Sequence, residues 1–384
     1  MIRVSRRSRG EIALIALVAL VVLGILDRWI MGPTITLREY QEAAYANEYQ
    51  PDLDTYSILN PIPRKDRLDE AANSTSENEP HPSSKTSSIR KISMSQEGFT
   101  RNITNHALIR GTQIPKRIWQ KWKNRIDARN IWMQEGYIRD GWFTWRSFNP
   151  NYEYSILSDA DAEAFVRKEY AYRPDIVKVF VELQQRIISF DLLRYLVIYR
   201  HGGVYNDMDT QCRVPIDDWF KKFNNYGIAI GTEAALRHDG EHDIQWQLDF
   251  YQLTGRIQFL QWTVMARPGH PAINRTIEAL ISRIYEDTEE DGVRTYEIGD
   301  LFYESGEILN LSGPGLYTRE VRGYINDIEQ RIVDDDEIAN ITDIKQYGDV
   351  LLLPVNKWAP EQSHSDAGKE STALLRHFWK GTWR

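Results

Sequence analysis

Cysteine is almost absent from the sequence: Cys212 is the only one in 384 residues. An intrachain disulfide is therefore excluded, and the fold must be stable without one. A single cysteine can also act as a catalytic nucleophile when a base lies beside it. Positions 210–215 around it contain no histidine and no carboxylate. We therefore predict that Cys212 has a structural role.

The sequence also lacks a large block of basic residues. Its formal net charge is −8, and its second half contains no extended run of lysine and arginine. Proteins that bind nucleic acid need a basic surface to contact phosphates, so we expect no nucleic acid as a partner. With 42% hydrophobic residues, the chain can bury a sizeable core.

Long apolar runs are scarce, and only 12–26 is uninterrupted over the length of a helix. Such a helix spans roughly 22 Å, and continuing it to Met31 gives about 30 Å, the thickness of a bilayer core. Arginines precede the run, which predicts a cytosolic amino terminus and a lumenal remainder. A cleaved signal peptide is the alternative, but no small-x-small cleavage site follows. We predict a cytosolic tail at 1–11 and a signal-anchor transmembrane helix at 12–31.

The next segment, 32–111, is polar and interrupted by prolines. Its composition cannot bury enough apolar surface to fold, so we predict a largely disordered lumenal stem. The pattern becomes globular at 112–384, which we interpret as a single domain. Acceptor sites for N-linked glycans agree with a lumenal body; they are Asn73, Asn102, Asn274, Asn310 and Asn340.

Strand-like and helix-like segments alternate in this globular part. Residues 116–122 and 152–157 are rich in β-forming side chains and predict strands. Apolar residues at 176–183 and 192–197 repeat at helical spacing, and the second helix stops at the glycine pair 202–203. We therefore predict an α/β fold with a mainly parallel sheet.

The strongest polar motif follows this glycine pair, where 204–210 predicts a strand. Alternate side chains of a strand share a face, so we expect Tyr205, Asp207 and Asp209 to point the same way. Two neighbouring carboxylates repel each other unless a cation lies between them. Mg²⁺ or Mn²⁺ held by two carboxylates keeps positions open for phosphate oxygens. The motif therefore predicts a divalent metal site for a diphosphate group.

Asp-x-Asp triplets alone are not specific, and three more occur in the chain. We interpret them as stem, helix start and acidic surface; they begin at Asp52, Asp159 and Asp334. The triplet at 207–209 differs because the preceding helix carries Asp191 and Arg194 one turn apart on one face. An exposed ion pair is the alternative interpretation of Asp191 and Arg194.

Several motifs in order resemble glycosyltransferase family 32, and within it the fungal Golgi mannosyltransferases. The resemblance extends over 114–384. The segments that carry it are 114–122, 149–154, 158–159, 189–195, 201–210, 256–263, 267–271, 312–315 and 377–383. The departures from the family pattern include no predicted metal ligand; they are Phe190, Met208, Leu260 and Thr382.

The resemblance implies a GT-A fold, with a Rossmann-like and mainly parallel sheet, for a catalytic domain at 112–384. It implies GDP-mannose as the donor and Mn²⁺, or Mg²⁺, as the metal. Trp122 would stack on the base, with a core tryptophan as the alternative. The implied catalytic residues are Asp207, Asp209 and Arg194. The implied metal ligands are Asp207, Asp209 and His377, the last with a surface histidine as the alternative. The implied donor contacts are Trp122, Asp191, Arg194, Gly203, Tyr205 and Asp207.

The resemblance also implies an activity and a compartment. The expected enzyme is a retaining α-mannosyltransferase that starts or extends N-glycan outer chains by α-1,6 linkage, as a single-pass type II protein of the Golgi membrane. Its expected partners are a nucleotide sugar, a glycan or glycoprotein acceptor, and a candidate Golgi mannosyltransferase complex. Two alternatives stay open: an inositolphosphoceramide mannosyltransferase, whose relatives tend to carry extra membrane spans, and an inactive subunit of a mannan polymerase complex. The intact Asp207 and Asp209 pair argues against the inactive subunit.

Overall fold

The structure is a computed structural model that describes residues 113–238, 242–290, 292–365, 367–368 and 372–381. The predicted tail at 1–11, anchor at 12–31 and stem at 32–111 lie outside the described residues, as do Asn73, Asn102 and Thr382. Within the described residues, no helix combines the length and apolar character needed to cross a membrane.

An eight-stranded sheet forms the centre of the described chain. The order of its strands is β10-β11-β5-β7-β3-β1-β2, and β6 pairs with β5 outside this path. The bounds are β1 Arg117–Lys121, β2 Glu153–Leu157, β3 Gly203–Asn206, β5 Ile228–Ala235, β6 Ile257–Phe259, β7 Thr263–Ala266, β10 Lys345–Tyr347 and β11 Val350–Leu353. Two smaller ladders pair β4, Thr210–Cys212, with β12, Leu375–His377, and β8, Glu289–Glu290, with β9, Val293–Arg294.

The sheet is mixed but mostly parallel, which confirms the coarse prediction. Strands β1, β2, β3, β5 and β11 run in one direction, because β1 is parallel to β2 and β3, β11 is parallel to β5, and β7 is antiparallel to both β3 and β5. Strands β6, β7 and β10 run in the opposite direction. The carboxyl ends of β1, β3 and β5 therefore meet at one edge of the sheet.

Helices pack against this sheet and supply the rest of the core. Their bounds are α1 Gly136–Phe148, α2 Asp159–Glu169, α3 Pro174–Glu182, α4 Arg186–His201, α5 Ile216–Trp219, α6 Ile244–Tyr251, α7 Pro271–Glu286, α8 Ser305–Leu311, α9 Pro314–Glu329, α10 Asp335–Ala339 and α11 Val355–Trp358. Ser158 caps α2 in a capping box with Asp161. The predicted helices at 176–183 and 192–197 are confirmed as α3 and α4.

Helix α4 is the helix that matters most for the site. Ten of its residues are buried, from Ile188 to Ile198, and they include the charged Asp191 and Arg194. A helix that is buried on nearly all sides holds its polar side chains in fixed positions. Gly202 ends the helix at φ +66°, a conformation that favours glycine.

The predicted single strand over 204–210 is wrong. Strand β3 ends at Asn206, and β4 begins at Thr210. The Asp207 N–H still donates to the Trp262 carbonyl (2.8 Å), in register with the pairing of β3 and β7, and the Thr210 hydroxyl then closes a turn by donating to the Asp207 carbonyl (2.7 Å). The chain turns at 207–209, and β4 then pairs with β12 rather than continuing the main sheet.

Candidate active site

Asp207, Asp209 and His377 form a compact group of potential metal ligands. One ligand atom from each residue lies within 4.8 Å of the other two. The His377 Nε2 atom is 3.1 Å from Asp209 Oδ1. The two carboxylates converge as predicted, but a turn brings them together instead of strand alternation. His377 arrives through the pairing of β12 with β4, in which it lies opposite Thr210.

Aromatic rings and backbone groups hold His377 and Asp209 in place. The Trp262 ring stacks on the His377 imidazole with centroids 4.3 Å apart and planes 13° apart. The Trp379 ring meets the imidazole edge-on at 4.0 Å. Asp209 accepts a hydrogen bond from the Lys380 N–H at Oδ2 (3.0 Å), and its carbonyl accepts one from the Phe378 N–H (2.9 Å). The chain after β12 therefore fixes both ligands.

The charges of this group depend on one another. Burial raises the pKa of Asp207, although Arg194 opposes this effect. Burial also acts to raise the pKa of Asp209, but His377 and the hydrogen bonds to the carboxylate outweigh it, so that pKa is lowered. Burial acts to lower the pKa of His377, but the charge and hydrogen bond of Asp209 outweigh it, so that pKa is raised. Concentrated negative charge of this kind attracts a cation.

The donor set of this group fits a divalent cation. Two carboxylates offer hard oxygen ligands, and an imidazole nitrogen is also a ligand that Mn²⁺ accepts. The Asp207 side chain keeps 28% of its surface exposed, whereas that of His377 keeps 8%. The group is therefore closed by protein on the side of His377 and open beside Asp207.

Arg194, Asp191 and Tyr205 adjoin this group, so the structure brings together the polar residues predicted from the two motifs. Arg194 Nη2 lies 2.9 Å from Asp191 Oδ1 and 3.6 Å from Asp207 Oδ1. The Tyr205 hydroxyl donates to Asp207 Oδ1 (3.0 Å). The Asp191–Arg194 pair is buried, so its interpretation as an exposed ion pair is wrong.

Three polar residues that the motif reasoning did not assign surround Asp191. The Ser312 hydroxyl donates to Asp191 Oδ2 (2.7 Å), and the Gln261 amide approaches Oδ1 at 3.4 Å. The Tyr195 hydroxyl donates to Gln261 Oε1 (2.6 Å) and lies 3.1 Å from the Ser312 carbonyl. Burial raises the pKa of Asp191 to about 6 despite these bonds and Arg194. Gln261 and Ser312 belong to the family-like segments, which is the signal that could have found them.

Trp122 and Gly203 lie at different ends of the central strands. Trp122 follows β1 directly, at the edge that carries Asp207, and it is partly buried beside a small apolar cluster. Its stacking on a base stays a prediction. Gly203 begins β3 at φ +104°, and a Cβ atom there would lie 2.5 Å from the Arg117 carbonyl oxygen. The structure therefore gives Gly203 a packing role between β3 and β1, away from the metal-ligand group.

Cys212 is a free and fully buried thiol. Burial raises its pKa to about 12, which leaves the reactive thiolate unpopulated at neutral pH. The Asn149 amide contacts its sulfur at 3.5 Å, and the thiol donates to the Val214 carbonyl at 3.2 Å. The predicted structural role is confirmed.

Comparison with known proteins identifies the family. The family model described as "Glycosyltransferase sugar-binding region containing DXD motif" matches residues 137–224. The "Initiation-specific alpha-1,6-mannosyltransferase" of Candida albicans is 30% identical over 291 residues, which cover 70% of this chain and 72% of that protein. The chain belongs to glycosyltransferase family 32. As a family 32 member, it is a glycosyltransferase.

Other family 32 relatives carry different names. The "Mannosyl phosphorylinositol ceramide synthase CSH1" of Saccharomyces cerevisiae is 28% identical and covers 57% of each chain. Among solved structures, the "PaToxG Glycosyltransferase" superposes with a TM-score of 0.35 at 17% identity, covering 56% of this chain and 72% of that one. That superposition is too loose to carry a conclusion about the fold.

Proposed function

We propose that this family 32 enzyme is a metal-dependent, retaining α-mannosyltransferase with a GT-A catalytic domain at 112–384. It transfers mannose from GDP-mannose to a glycan acceptor, starting or extending N-glycan outer chains by α-1,6 linkage. The observation that carries the proposal is the convergence of Asp207, Asp209 and His377 beside Arg194. The mannosyltransferase name of the Candida albicans relative supports the choice of sugar.

In this proposal, the residues of the site have different roles in binding a nucleotide sugar. Asp207, Asp209 and His377 would hold Mn²⁺ or Mg²⁺, which would offset the charge of a departing diphosphate. Arg194 adds a positive charge beside them, and its buried Nε atom has no hydrogen-bond partner in the described structure. That N–H is therefore available to a donor oxygen. Asp191 holds Arg194 in place, and we assign no covalent nucleophile.

The decisive experiment measures metal-dependent turnover. The full-length wild-type protein is incubated with GDP-mannose, UDP-glucose and UDP-galactose, each with a mannose-terminated oligosaccharide and Mn²⁺. We expect transfer from GDP-mannose alone and its loss in excess chelator. Asp209→Asn should lose at least about 100-fold in turnover, because a carboxylate ligand of the cation is removed. Isothermal titration with Mn²⁺ should detect the same loss of binding.

A matched control uses another Asp-x-Asp triplet of the same chain. Asp336 ends the run Asp334–Asp336 and has a side chain that is 70% exposed. Asp336→Asn should therefore keep wild-type turnover and Mn²⁺ binding. Normal turnover by a folded Asp209→Asn protein would refute metal dependence, and a preference for a UDP-sugar would refute the mannosyl assignment.

Two alternatives are tested by the same assay. The relative named a mannosyl phosphorylinositol ceramide synthase favours an inositolphosphoceramide acceptor, but it covers 57% of this chain against 70% for the Candida albicans relative. Including inositolphosphoceramide among the acceptors separates these activities. An inactive subunit of a mannan polymerase complex would turn over none of them.

We also propose that the enzyme is a single-pass type II protein of the Golgi membrane, anchored by 12–31. Asn310 and Asn340 are exposed at the surface of the described chain, where a glycan can be attached. Treating the cellular protein with an N-glycosidase should lower its apparent mass, and Asn310→Gln and Asn340→Gln should each remove part of that shift. An unchanged mass together with protease access from the cytosol would contradict this topology.

A further inference from the structure

Strand β5 contains one charged side chain, and the site as described does not use it. Seven of its eight residues are buried, and Glu233 alone is partly exposed. The pairing of β5 with β6 shifts register between Thr232 and Ala234, which makes Glu233 the residue at the irregularity. Such bulges redirect a side chain and are common beside active sites. Glu233 therefore stays partly exposed, whereas its neighbours on β5 are buried.

The carboxylate of Glu233 is held only by neutral donors. The Gln258 amide donates to Oε2 (2.8 Å), and the Trp262 indole N–H approaches Oε1 at 3.3 Å. Gln258 is fixed in turn, because its Oε1 atom accepts bonds from the Thr254 N–H and hydroxyl. In the described part of the chain, no lysine or arginine forms a salt bridge with Glu233. Burial raises its pKa.

A carboxylate that is largely shielded from water and forms no salt bridge is unfavourable unless other groups hydrogen-bond to it. Two neutral donors leave lone pairs of the carboxylate free. Because Glu233 is partly exposed, its free lone pairs are accessible to hydrogen-bond donors of a ligand.

Glu233 lies at the same edge of the sheet as the other residues of the site. It lies near the carboxyl end of β5, at the edge where Trp122 follows β1 and Asp207 follows β3. Trp262 lies between them, immediately before β7, and its ring stacks on His377 while its indole N–H faces Glu233. The order along this edge is therefore Trp122, the metal-ligand group, Trp262 and Glu233.

The chemistry of a carboxylate limits what it can bind at that position. A diphosphate would be repelled, and the residues proposed to hold the nucleotide lie on β1, β3 and α4, on the other side of the metal-ligand group. Neutral hydroxyl groups remain, and an acceptor sugar offers several of them. Carboxylate oxygens accept hydrogen bonds from hydroxyl groups readily.

We propose that Glu233 binds the acceptor sugar by accepting a hydrogen bond from one of its hydroxyl groups, which makes the carboxyl end of β5 the acceptor side of the site. This proposal rests on the proposed function, because it requires a sugar acceptor beside a nucleotide-sugar donor. Glu233 then sets how the acceptor is held, whereas Trp122, Arg194 and the metal-ligand group bind the donor.

The test compares two reactions of the same full-length enzyme. Transfer of mannose from GDP-mannose to α-mannobiose needs both substrates, whereas slow hydrolysis of GDP-mannose in the absence of acceptor needs only the donor. Glu233→Gln should lower kcat/KM for α-mannobiose by about 10- to 100-fold, the effect of losing one hydrogen bond to a charged group. Hydrolysis of GDP-mannose and its KM should stay within about 3-fold of wild type, which also reports that the variant is folded.

Two further variants separate acceptor binding from other roles. Glu153→Gln changes an exposed glutamate on β2, whose side chain is 59% exposed, and should leave both reactions unchanged. Trp262→Phe keeps a ring on His377 but removes the indole N–H that meets Glu233. If Glu233→Gln and Trp262→Phe lower transfer and hydrolysis equally, Glu233 acts only by positioning Trp262 and the proposal is overturned.

Two results for Glu233→Gln would contradict a role in binding the acceptor. Unchanged transfer by Glu233→Gln overturns the proposal, and so does a fall in GDP-mannose hydrolysis that matches the fall in transfer. Failure of the wild-type enzyme to use GDP-mannose in either reaction counts against the proposed function itself, and it is seen before any variant is made.

Discussion

At the scale of single residues, the site is a balance of buried charges. Arg194 lies between Asp191 and Asp207, and all three would be unfavourable in the interior without each other. Burial acts to lower the pKa of Arg194, but the two carboxylates outweigh it and keep the guanidinium charged. The negative charge of Asp209 is stabilised by His377 rather than by Arg194. A cation and a diphosphate would add charges of both signs to this arrangement.

Replacing Trp122 tests the predicted stacking of the donor's base on this side chain. Stacking of a base on an aromatic ring contributes roughly 1–3 kcal/mol in nucleic-acid systems. Trp122→Ala should therefore raise the apparent KM for GDP-mannose by about 5- to 150-fold while turnover at saturating donor changes much less. Steady-state kinetics of wild type and mutant check this. An unchanged KM in a folded mutant would assign Trp122 to the apolar cluster beside it.

At the scale of elements, the two ends of β3 have different roles: one leads to the candidate metal ligands, and the other packs against β1. The carboxyl end of β3 leads into the turn at 207–209, and this turn brings the carboxylates of Asp207 and Asp209 together. The beginning is pressed against β1, where Gly203 faces the Arg117 backbone. The motif at 201–210 contains residues of both kinds. In the sequence, Gly203, which is required for packing, therefore cannot be distinguished from a residue that binds the donor.

Gly203→Ala should destabilise the protein without changing how it binds the donor. The added Cβ would be placed in a φ > 0 conformation and 2.5 Å from a carbonyl oxygen. We expect a loss of roughly 2 kcal/mol or more in the free energy of unfolding, and a melting temperature lower by several degrees. Gly306→Ala in α8 is the matched control, because a Cβ atom added at Gly306 would have open space around it. It should be neutral or slightly stabilising.

The KM for GDP-mannose distinguishes the two interpretations of Gly203. If the glycine only packs, the folded fraction of Gly203→Ala should bind the donor like wild type. A stable Gly203→Ala protein with a greatly raised KM would restore the donor contact predicted from the sequence.

At the scale of the whole molecule, two of the contacts between distant segments are instructive. The first is the pairing of β12 with β4, which places His377 against Asp209 across 168 positions of sequence. The second is Asp349, between β10 and β11, whose carbonyl accepts a hydrogen bond from the Gly227 N–H (2.7 Å). Its carboxylate contacts Arg267 (3.1 Å), Tyr324 (2.9 Å) and His270 (3.3 Å). It thus joins β5, β7, α7 and α9.

The Asp349 carboxylate should make stability depend on pH. Burial acts to raise its pKa, but the close contact with His270 and the hydrogen bonds from Tyr324 and Arg267 outweigh it, so the folded-state pKa lies below the ordinary value. Its contribution is therefore complete above the unfolded-state pKa of about 4 and is lost as the pH falls towards the folded-state pKa. At pH 7, Asp349→Asn should lower the free energy of unfolding by about 1.5–3 kcal/mol.

Denaturant unfolding of wild type and Asp349→Asn between pH 7 and pH 3 checks this prediction. The difference between the two proteins should shrink as the pH falls below about 4. Asp327→Asn is the control: Asp327 also meets an arginine, Arg275, but its side chain is 66% exposed, so the change should stay below about 1 kcal/mol. A difference for Asp349→Asn that stays constant with pH would contradict the assigned role of the charge.

The sequence by itself determined most of the local elements and the carboxylates of the candidate site. The α/β alternation, the helix that stops at Gly202, and the pairing of Asp191 with Arg194 on one face follow from periodicity and from backbone preferences, which act between near neighbours. The carboxylates at 207 and 209 could likewise be read from their context. These features need no knowledge of how distant segments meet.

Only the tertiary structure decided which distant groups complete the site. Strand alternation predicted the convergence of Asp207 and Asp209 for the wrong reason, because the chain turns after Asp207 and the following strand β4 pairs with the distant strand β12. Ser312, between α8 and α9, and Gln261, between β6 and β7, reach Asp191, and Glu233 reaches the same edge through a bulge in β5. Long-range pairing and burial place these side chains, and neither has a local pattern in the sequence.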